Sequence, residues 1–524
     1  MYSTYNTASY MPRRFPSLWS VQALIAAILI LTILRIVALC FSPLELGGDE
    51  AQYWAWSQAP DFGYFSKPPL IAWVIAITTF VFGDAEWAVR LAAPLAHAAT
   101  TFFLFRAGRL SSVGNTGKAV GSIAALIYIT MPGVWFSSGI ITTDALLLPA
   151  IAGALAAYFK LVHKPDMVTA ASMGLAIGIG FLAKYAMVYF CLALLALAVF
   201  DKDTRSVLLG RYGAMAGAVA ALLLMPNLLW NRAHQFATIS HTIDNAGWEN
   251  MHINPVSALE FLGGQLGVFG ILAFPVLVLA LYWVSSSKGV PDQTKRLAVF
   301  IVVPLLIVTV EAIINRANAN WAFSAYVPAS LLLAFWGVLH GRMLIITLVL
   351  GTNLLTGTGL VVIALSPVLV ERLGIENAFK RVHGWQQSAQ TIAGLNDPTA
   401  TGKTYDALLV DNRLFYYAVK YYGRHMDLPP MYIWTRFATP HSHAELVNPL
   451  VPGFEGKTLV ISARRAYVQR MAADFQSFTL RGTYSIALGG TRKRKFAVYE
   501  AQDYRPLVRD EAYERQWPVH DVSW

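Results

Sequence analysis

Residues 68–82 read PPLIAWVIAITTFVF, and whether they cross a membrane decides on which side every later loop lies. Fifteen residues make about 22 Å of α-helix, short of the roughly 30 Å of hydrocarbon in a bilayer. The Pro-Pro start suits a helix N-terminus, where missing N–H groups would have had no intrahelical partner. The segment therefore reads as a helix lying at the membrane interface.

The rest of the chain fits that setting. Of its 524 residues 56% are hydrophobic and only 13% charged, against roughly 25% charged in soluble domains. This is the composition of a polytopic membrane protein. The net charge of +10 is scattered singly between apolar segments, a topology signal and not a nucleic-acid surface. The two cysteines, Cys40 and Cys191, lie in apolar runs and offer neither a disulfide framework nor a zinc site. Eleven segments are apolar enough to span: 19–41, 87–108, 119–140, 145–161, 168–183, 185–200, 212–230, 258–284, 297–314, 321–340 and 343–366. The first is read as a retained signal anchor, because its polar N-terminal flank is too long for a cleaved signal peptide.

Charge bookkeeping supports leaving residues 68–82 out. Lys and Arg concentrate in cytoplasmic loops. With eleven crossings and a cytoplasmic N-terminus, the inner segments hold fourteen cations, from Arg13 and Arg14 to Arg342. The outer segments before residue 367 hold four: Lys67, Lys184, Arg232 and Arg316. The loop 42–86 then faces the exterior or periplasm. So does the part after residue 366, where ALLVDN (407–412), TLVISA (458–463) and KFAVYEA (495–501) read as strands and RLFYYAVKYYG and RRAYVQRMAADF as helices. The fold class is a multi-pass α-helical membrane domain, 1–366, followed by a periplasmic α/β domain, 367–524.

On the outer side the acids Asp49 and Asp144 stand out. Asp49 follows Gly47-Gly48, which permits a sharp turn or a close approach. Asp144 lies where the third span meets the fourth, with Ser138, Thr142 and Thr143 nearby. A helix N-cap is the plain alternative for both. Glu50 reads as a solvated loop acid. Snorkelling to headgroups accounts for Arg232 and Arg316, whereas Lys67, between Tyr64-Phe65 and two prolines, suits holding an anion. An acid and a cation at the outer surface of a membrane bundle fit chemistry on a phosphate-bearing amphiphile: the cation holds the phosphate and the carboxylate serves an incoming hydroxyl. No P-loop, GxSxG elbow or HExxH helix occurs. His441 and His443 read as exposed loop histidines without further metal ligands.

The stretch DEAQYWAWSQAPDFGYFSKPPLIAW, 49–73, resembles the first exterior loop of bacterial GT-C glycosyltransferases related to protein O-mannosyltransferases and the lipid A aminoarabinose transferase. LAKY at 182–185 and PNLLWN at 226–231 extend the resemblance. It implies an inverting transfer of one monosaccharide from a polyprenyl phosphate to a lipid A, lipopolysaccharide-core or other envelope acceptor at the periplasmic face of the inner membrane. It implies Asp49 as base or acceptor-orienting group, Asp144 as a second acid, and Lys67 as the phosphate cation, with Lys184, Arg232 and Arg316 as further cations. Tyr53 and Tyr64 line that site by the same resemblance, beside Glu50 and Gln52. Two positions depart from the aminoarabinose enzymes: Gln52 stands where they carry arginine and Ser66 where they carry an acid, implying a different sugar or acceptor. Nothing in the sequence requires a metal or other cofactor. Partners are the lipid-linked donor, the acceptor and membrane lipids, not nucleic acid. A protein O-mannosyltransferase and a lipid-linked sugar transporter are the alternatives; against the first, no β-trefoil-like insertion interrupts the chain, and against the second, no repeat is seen and the one acid placed inside a span, Glu311, lies near its outer end.

Overall fold

The structure, a computed structural model, describes residues 20–112, 114–246 and 253–516; Arg13, Arg14 and Glu249 lie outside them. Two compact units emerge, one of Met1–Ser42 with Lys67–Val362, the other of Pro43–Ser66 with Ile363–Trp524. The stretch 43–66 thus groups with the C-terminal residues and not with the spans.

Among the described residues seven helices are long and apolar enough to cross a membrane: Val21–Cys40, Glu86–Ser111, Thr143–His163, Arg211–Ala233, Asp292–Ile314, Ala319–Leu339 and Met343–Leu365. The protein is a multi-span membrane protein. Thr143–His163 and Ala319–Leu339 are central, 72% and 89% buried, whereas Val21–Cys40 and Met343–Leu365 are peripheral, 22% and 17% buried. The peripheral first helix carries Arg35, which turns inward. Its guanidinium donates to the Ile129 carbonyl and lies 4.6 Å from the Trp135 ring centre, so the charge is held inside protein and away from lipid.

The other four expected spans are helical but not single full-length helices. Residues 168–183 and 185–200 form shorter apolar helices, Met167–Ala183 and Tyr185–Phe200. The segment expected at 119–140 bends by 57° between Gly114–Thr130 and Pro132–Ser138. Met131 is extended there, as the residue before a proline prefers. The segment expected at 258–284 is two helices, Pro255–Val268 and Ala273–Ser286, bent by 108°. Gly270 makes that break: its φ is +127°, and a Cβ built on it would lie 2.0 Å from Asn353 Oδ1. Both the backbone conformation and the space demand glycine. Gly270→Ala is expected to destabilise the purified protein by about 2 kcal/mol, read as a lowered thermal midpoint, whereas Gly263→Ala, which meets nothing within 4 Å, should not. Residues 68–82 form the separate 13-residue helix Leu70–Phe82.

The second unit is built on a five-stranded sheet: β1 (Ala407–Val410), β2 (Met431–Ile433), β3 (Thr458–Ser462), β4 (Phe475–Gly489) and β5 (Arg492–Tyr504), in order β2-β1-β3-β5-β4. β1 runs parallel to both β2 and β3, and β5 antiparallel to β3 and β4. β1 and β3 are fully buried, the apolar-run signature of parallel strands covered on both faces. The expected helix RRAYVQRMAADF shrinks to a 3₁₀ turn, Arg465–Tyr467, and Val468–Ala472. Hydrogen bonds tie the 43–66 stretch into this unit: Glu45 N–H to Val382 O at 3.0 Å, Leu46 N–H to the Tyr422 hydroxyl at 2.6 Å, and Gln386 N–H to the Glu45 carboxylate at 3.2 Å.

Candidate functional site

Asp49 sits in the first turn of the helix Gly48–Ser57, where the helix dipole favours a negative charge. The N-cap is Gly47, with φ −63°, so neither an Asp49 cap nor a left-handed glycine turn forms. The glycine pair serves close approach instead: a Cβ on Gly48 would come within 2.8 Å of Leu414 Cβ on the helix Arg413–Tyr422. Glu50 is buried, not solvated, and its Oε2 accepts the Gly47 N–H at 2.9 Å. It caps the helix that presents Asp49.

Asp49 stays 62% exposed and pairs with Arg413, whose Nη1 lies 3.1 Å from Oδ1. The same Nη1 donates to Gln52 Oε1 at 2.6 Å, and Gln52 Nε2 reaches Ser66 Oγ at 3.5 Å. Thus the two positions that depart from the aminoarabinose enzymes touch each other, and a cation enters this cluster from residue 413. Arg413 opens its helix just after the N-cap Asn412, whose side chain accepts from Leu414 and Phe415 N–H. A cation there opposes the helix dipole. That mismatch is the one local signal in the sequence for Arg413.

Asp411, two residues earlier, fixes the exit of β1. Its carboxylate accepts from Ala463 N–H at 2.8 Å, Arg464 N–H at 3.2 Å and the Ser462 hydroxyl at 3.1 Å. Burial pushes its pKa up to about 6, against these bonds, which pull it down. The folded state then holds this proton more tightly than the unfolded chain, so stability should fall as pH rises from about 4, the unfolded value, through about 6. Asp411→Asn should flatten the unfolding midpoint across that pH window; an unchanged slope would refute the assignment.

Tyr53 and Tyr64, expected to line the phosphate site, are core residues. Tyr64 stacks on Trp56 at 4.5 Å, and its hydroxyl donates to main-chain carbonyl oxygen, with Trp56 O at 3.1 Å and Ala59 O at 3.2 Å, and accepts the Asp61 N–H. Burial raises its pKa to about 12. His443 is half-buried, not exposed, with its ring edge-on to Trp56 at 5.5 Å and Tyr64 at 5.3 Å. Ser442 caps that turn: its hydroxyl oxygen accepts the Glu445 N–H at 3.3 Å and its O–H donates to Glu445 Oε1 at 3.0 Å. His441 is exposed. Among the described residues no three His, Cys, Asp or Glu gather as metal ligands.

The membrane unit holds the other expected residues. Lys184 Nζ lies 2.7 Å from Asp144 Oδ1, and Asn320 Nδ2 donates to Oδ2 at 3.0 Å. Thr142, not Asp144, caps the helix Thr143–His163. The LAKY and PNLLWN stretches meet here: the Tyr185 hydroxyl donates to Asn227 Oδ1 at 2.9 Å and accepts from Asn231 Nδ2 at 3.2 Å. Lys67 is half-buried just before Leu70–Phe82. Arg232 and Arg316 are exposed.

Over 432 residues the chain is 34% identical to the lipid A galacturonosyltransferase RgtD of Rhizobium johnstonii, covering 78% of this chain and 86% of that one. The chain belongs to this family of GT-C glycosyltransferases. A second galacturonosyltransferase of the same organism, the lipopolysaccharide core enzyme RgtA, is 28% identical over 49% of this chain and 50% of its own length. Residues 66–230 match the family model for dolichyl-phosphate-mannose-protein mannosyltransferase. The GT-C fold is shared with the crystal structure of ArnT from Cupriavidus metallidurans bound to undecaprenyl phosphate, with a TM-score of 0.63 at 15% identity, covering 93% of this chain and 98% of that one. In this chain a multi-span helical part is followed by a C-terminal sheet-bearing part.

Proposed function

We propose that this GT-C glycosyltransferase moves a hexuronosyl residue from a polyprenyl phosphate to lipid A or a related envelope glycolipid, at the periplasmic face of the inner membrane. The observation that carries the reading is the 34% identity over most of a lipid A galacturonosyltransferase. A cytoplasmic N-terminus with the Asp49 loop and C-terminal unit outside accords with the loop charges, because cations gather in cytoplasmic loops.

In the reaction an acceptor hydroxyl oxygen attacks the anomeric carbon as its bond to the phosphate oxygen breaks. The bonding pair leaves with the lipid phosphate, and the configuration inverts. Asp49 takes the hydroxyl proton. Its exposure supports that role, as does Oδ2, which makes no hydrogen bond among the described residues. Lys67 stabilises the phosphate as its charge develops, with Arg232 and Arg316 as exposed auxiliaries. Lys184 already has a carboxylate partner, so we assign the Asp144–Lys184 pair to holding helices in place.

Purified enzyme given polyprenyl-phosphate galacturonic acid and lipid A should yield lipid A carrying one added hexuronosyl residue by mass spectrometry. Transfer of mannose to protein, or movement of the donor across vesicles without transfer, would replace this reading.

A further inference from the structure

We infer that Arg413 reads an acidic group on the donor sugar: one edge of its guanidinium holds Asp49 and Gln52, and the other takes the carboxylate of a uronosyl residue. The inference rests on the proposed function, which supplies the uronosyl donor, and adds the residue that would select it.

Arg413 Nη1 is committed to Asp49 Oδ1 at 3.1 Å and Gln52 Oε1 at 2.6 Å. Its Nε and Nη2 make no hydrogen bond among the described residues, and the side chain is 41% exposed. A guanidinium presents its donors in a planar fork that matches a carboxylate through two parallel bonds. The open edge is therefore shaped for an oxyanion and lies next to the carboxylate proposed to serve the acceptor.

Charge makes the same demand. A uronosyl carboxylate brought towards Asp49 meets like-charge repulsion, which a shared cation offsets. Gln52 adds no charge of its own and is buried, at 3% exposure, serving as a bracket between Arg413 and Ser66. Arg413 occupies a helix start where a cation is locally unfavourable, so what keeps it there is Asp49 and whatever anion joins it.

The oxyanion could instead be the lipid phosphate, and kinetics separate the two. The test measures kcat and KM for polyprenyl-phosphate galacturonic acid, and inhibition constants for sugar-free polyprenyl phosphate and for the neutral galactosyl analogue. Wild type, Arg413→Gln and Arg413→Lys would be compared at matched thermal stability. The expected result in Arg413→Gln is a KM for the uronosyl donor raised about 30-fold, the scale for truncating one partner of a charged hydrogen-bonded pair. Both inhibition constants should stay unchanged, and Arg413→Lys should recover part of the loss. Equal weakening of all three ligands would assign Arg413 to phosphate and overturn the inference. A fall in kcat at constant KM would reduce Arg413 to positioning Asp49 and also overturn it. Wild-type enzyme that ignores the uronosyl donor would instead refute the proposed function, a failure visible before any variant is made.

Discussion

Asp49→Asn is expected to lower sugar transfer by about 100- to 10,000-fold, the span attributed to one positioned general base, while the protein folds and spans the membrane as before. The substitution keeps the shape and removes the ability to accept a proton. Its structural effect should be small, because Asp49 is 62% exposed and its ion pair with Arg413 is half in solvent. An exposed pair contributes about 0–1 kcal/mol, and an amide oxygen can still accept from Arg413. Glu50 next door gives the contrast. It is buried and caps the Gly47 N–H, so Glu50→Gln should reduce activity only as far as it loosens the helix start. The check is product formation with donor at several concentrations, alongside the detergent-solubilised melting curve. Full activity in Asp49→Asn would remove Asp49 from the chemistry. Equal losses in both acids with a lowered melting point would mean that only the helix start matters.

What the sequence reveals follows the range of the forces involved. Spans are legible because twenty apolar residues have one outcome in a bilayer, and all eleven segments are helical. The break at Gly270 is not legible: glycine is common in membrane helices, and the Asn353 side chain that occupies its missing Cβ position lies 83 residues on. β1 and β3 read cleanly because both faces are buried. β4 does not, since Gln476, Ser477, Thr479, Arg481 and Thr483 are exposed along it and its pairing with β5 supplies the order. Asp49 is singled out as a candidate by its local motif. Its contact with Arg413 spans 364 residues, and a cation at a helix start is the one local sign of it. The half-buried place of His443 is hidden for a related reason: a histidine in a polar loop looks exposed until the aromatic rings that cover it are known.

Removing one partner of the Asp144–Lys184 pair should have the largest effect on stability. Asp144 and Lys184 are 9% and 19% exposed, and Asn320 occupies the second carboxylate oxygen. The three side chains join the start of Thr143–His163, the junction after Met167–Ala183, and the 3₁₀ turn Ala319–Ala325. Asp144→Asn leaves the Lys184 ammonium without its counter-charge in a poorly solvated place, which costs about 3–5 kcal/mol. Lys184→Met strands the carboxylate in the same way. Because the penalty is an unpaired charge, the double variant Asp144→Asn/Lys184→Met should recover much of the stability of either single change, a non-additivity expected of directly contacting groups. The double variant also decides between structural and chemical roles. If the pair only holds the helices together, transfer activity returns with the melting temperature. If Asp144 acts on the substrate, the double variant regains its fold and stays inactive, and the carboxylate implied by the family resemblance returns to the reaction.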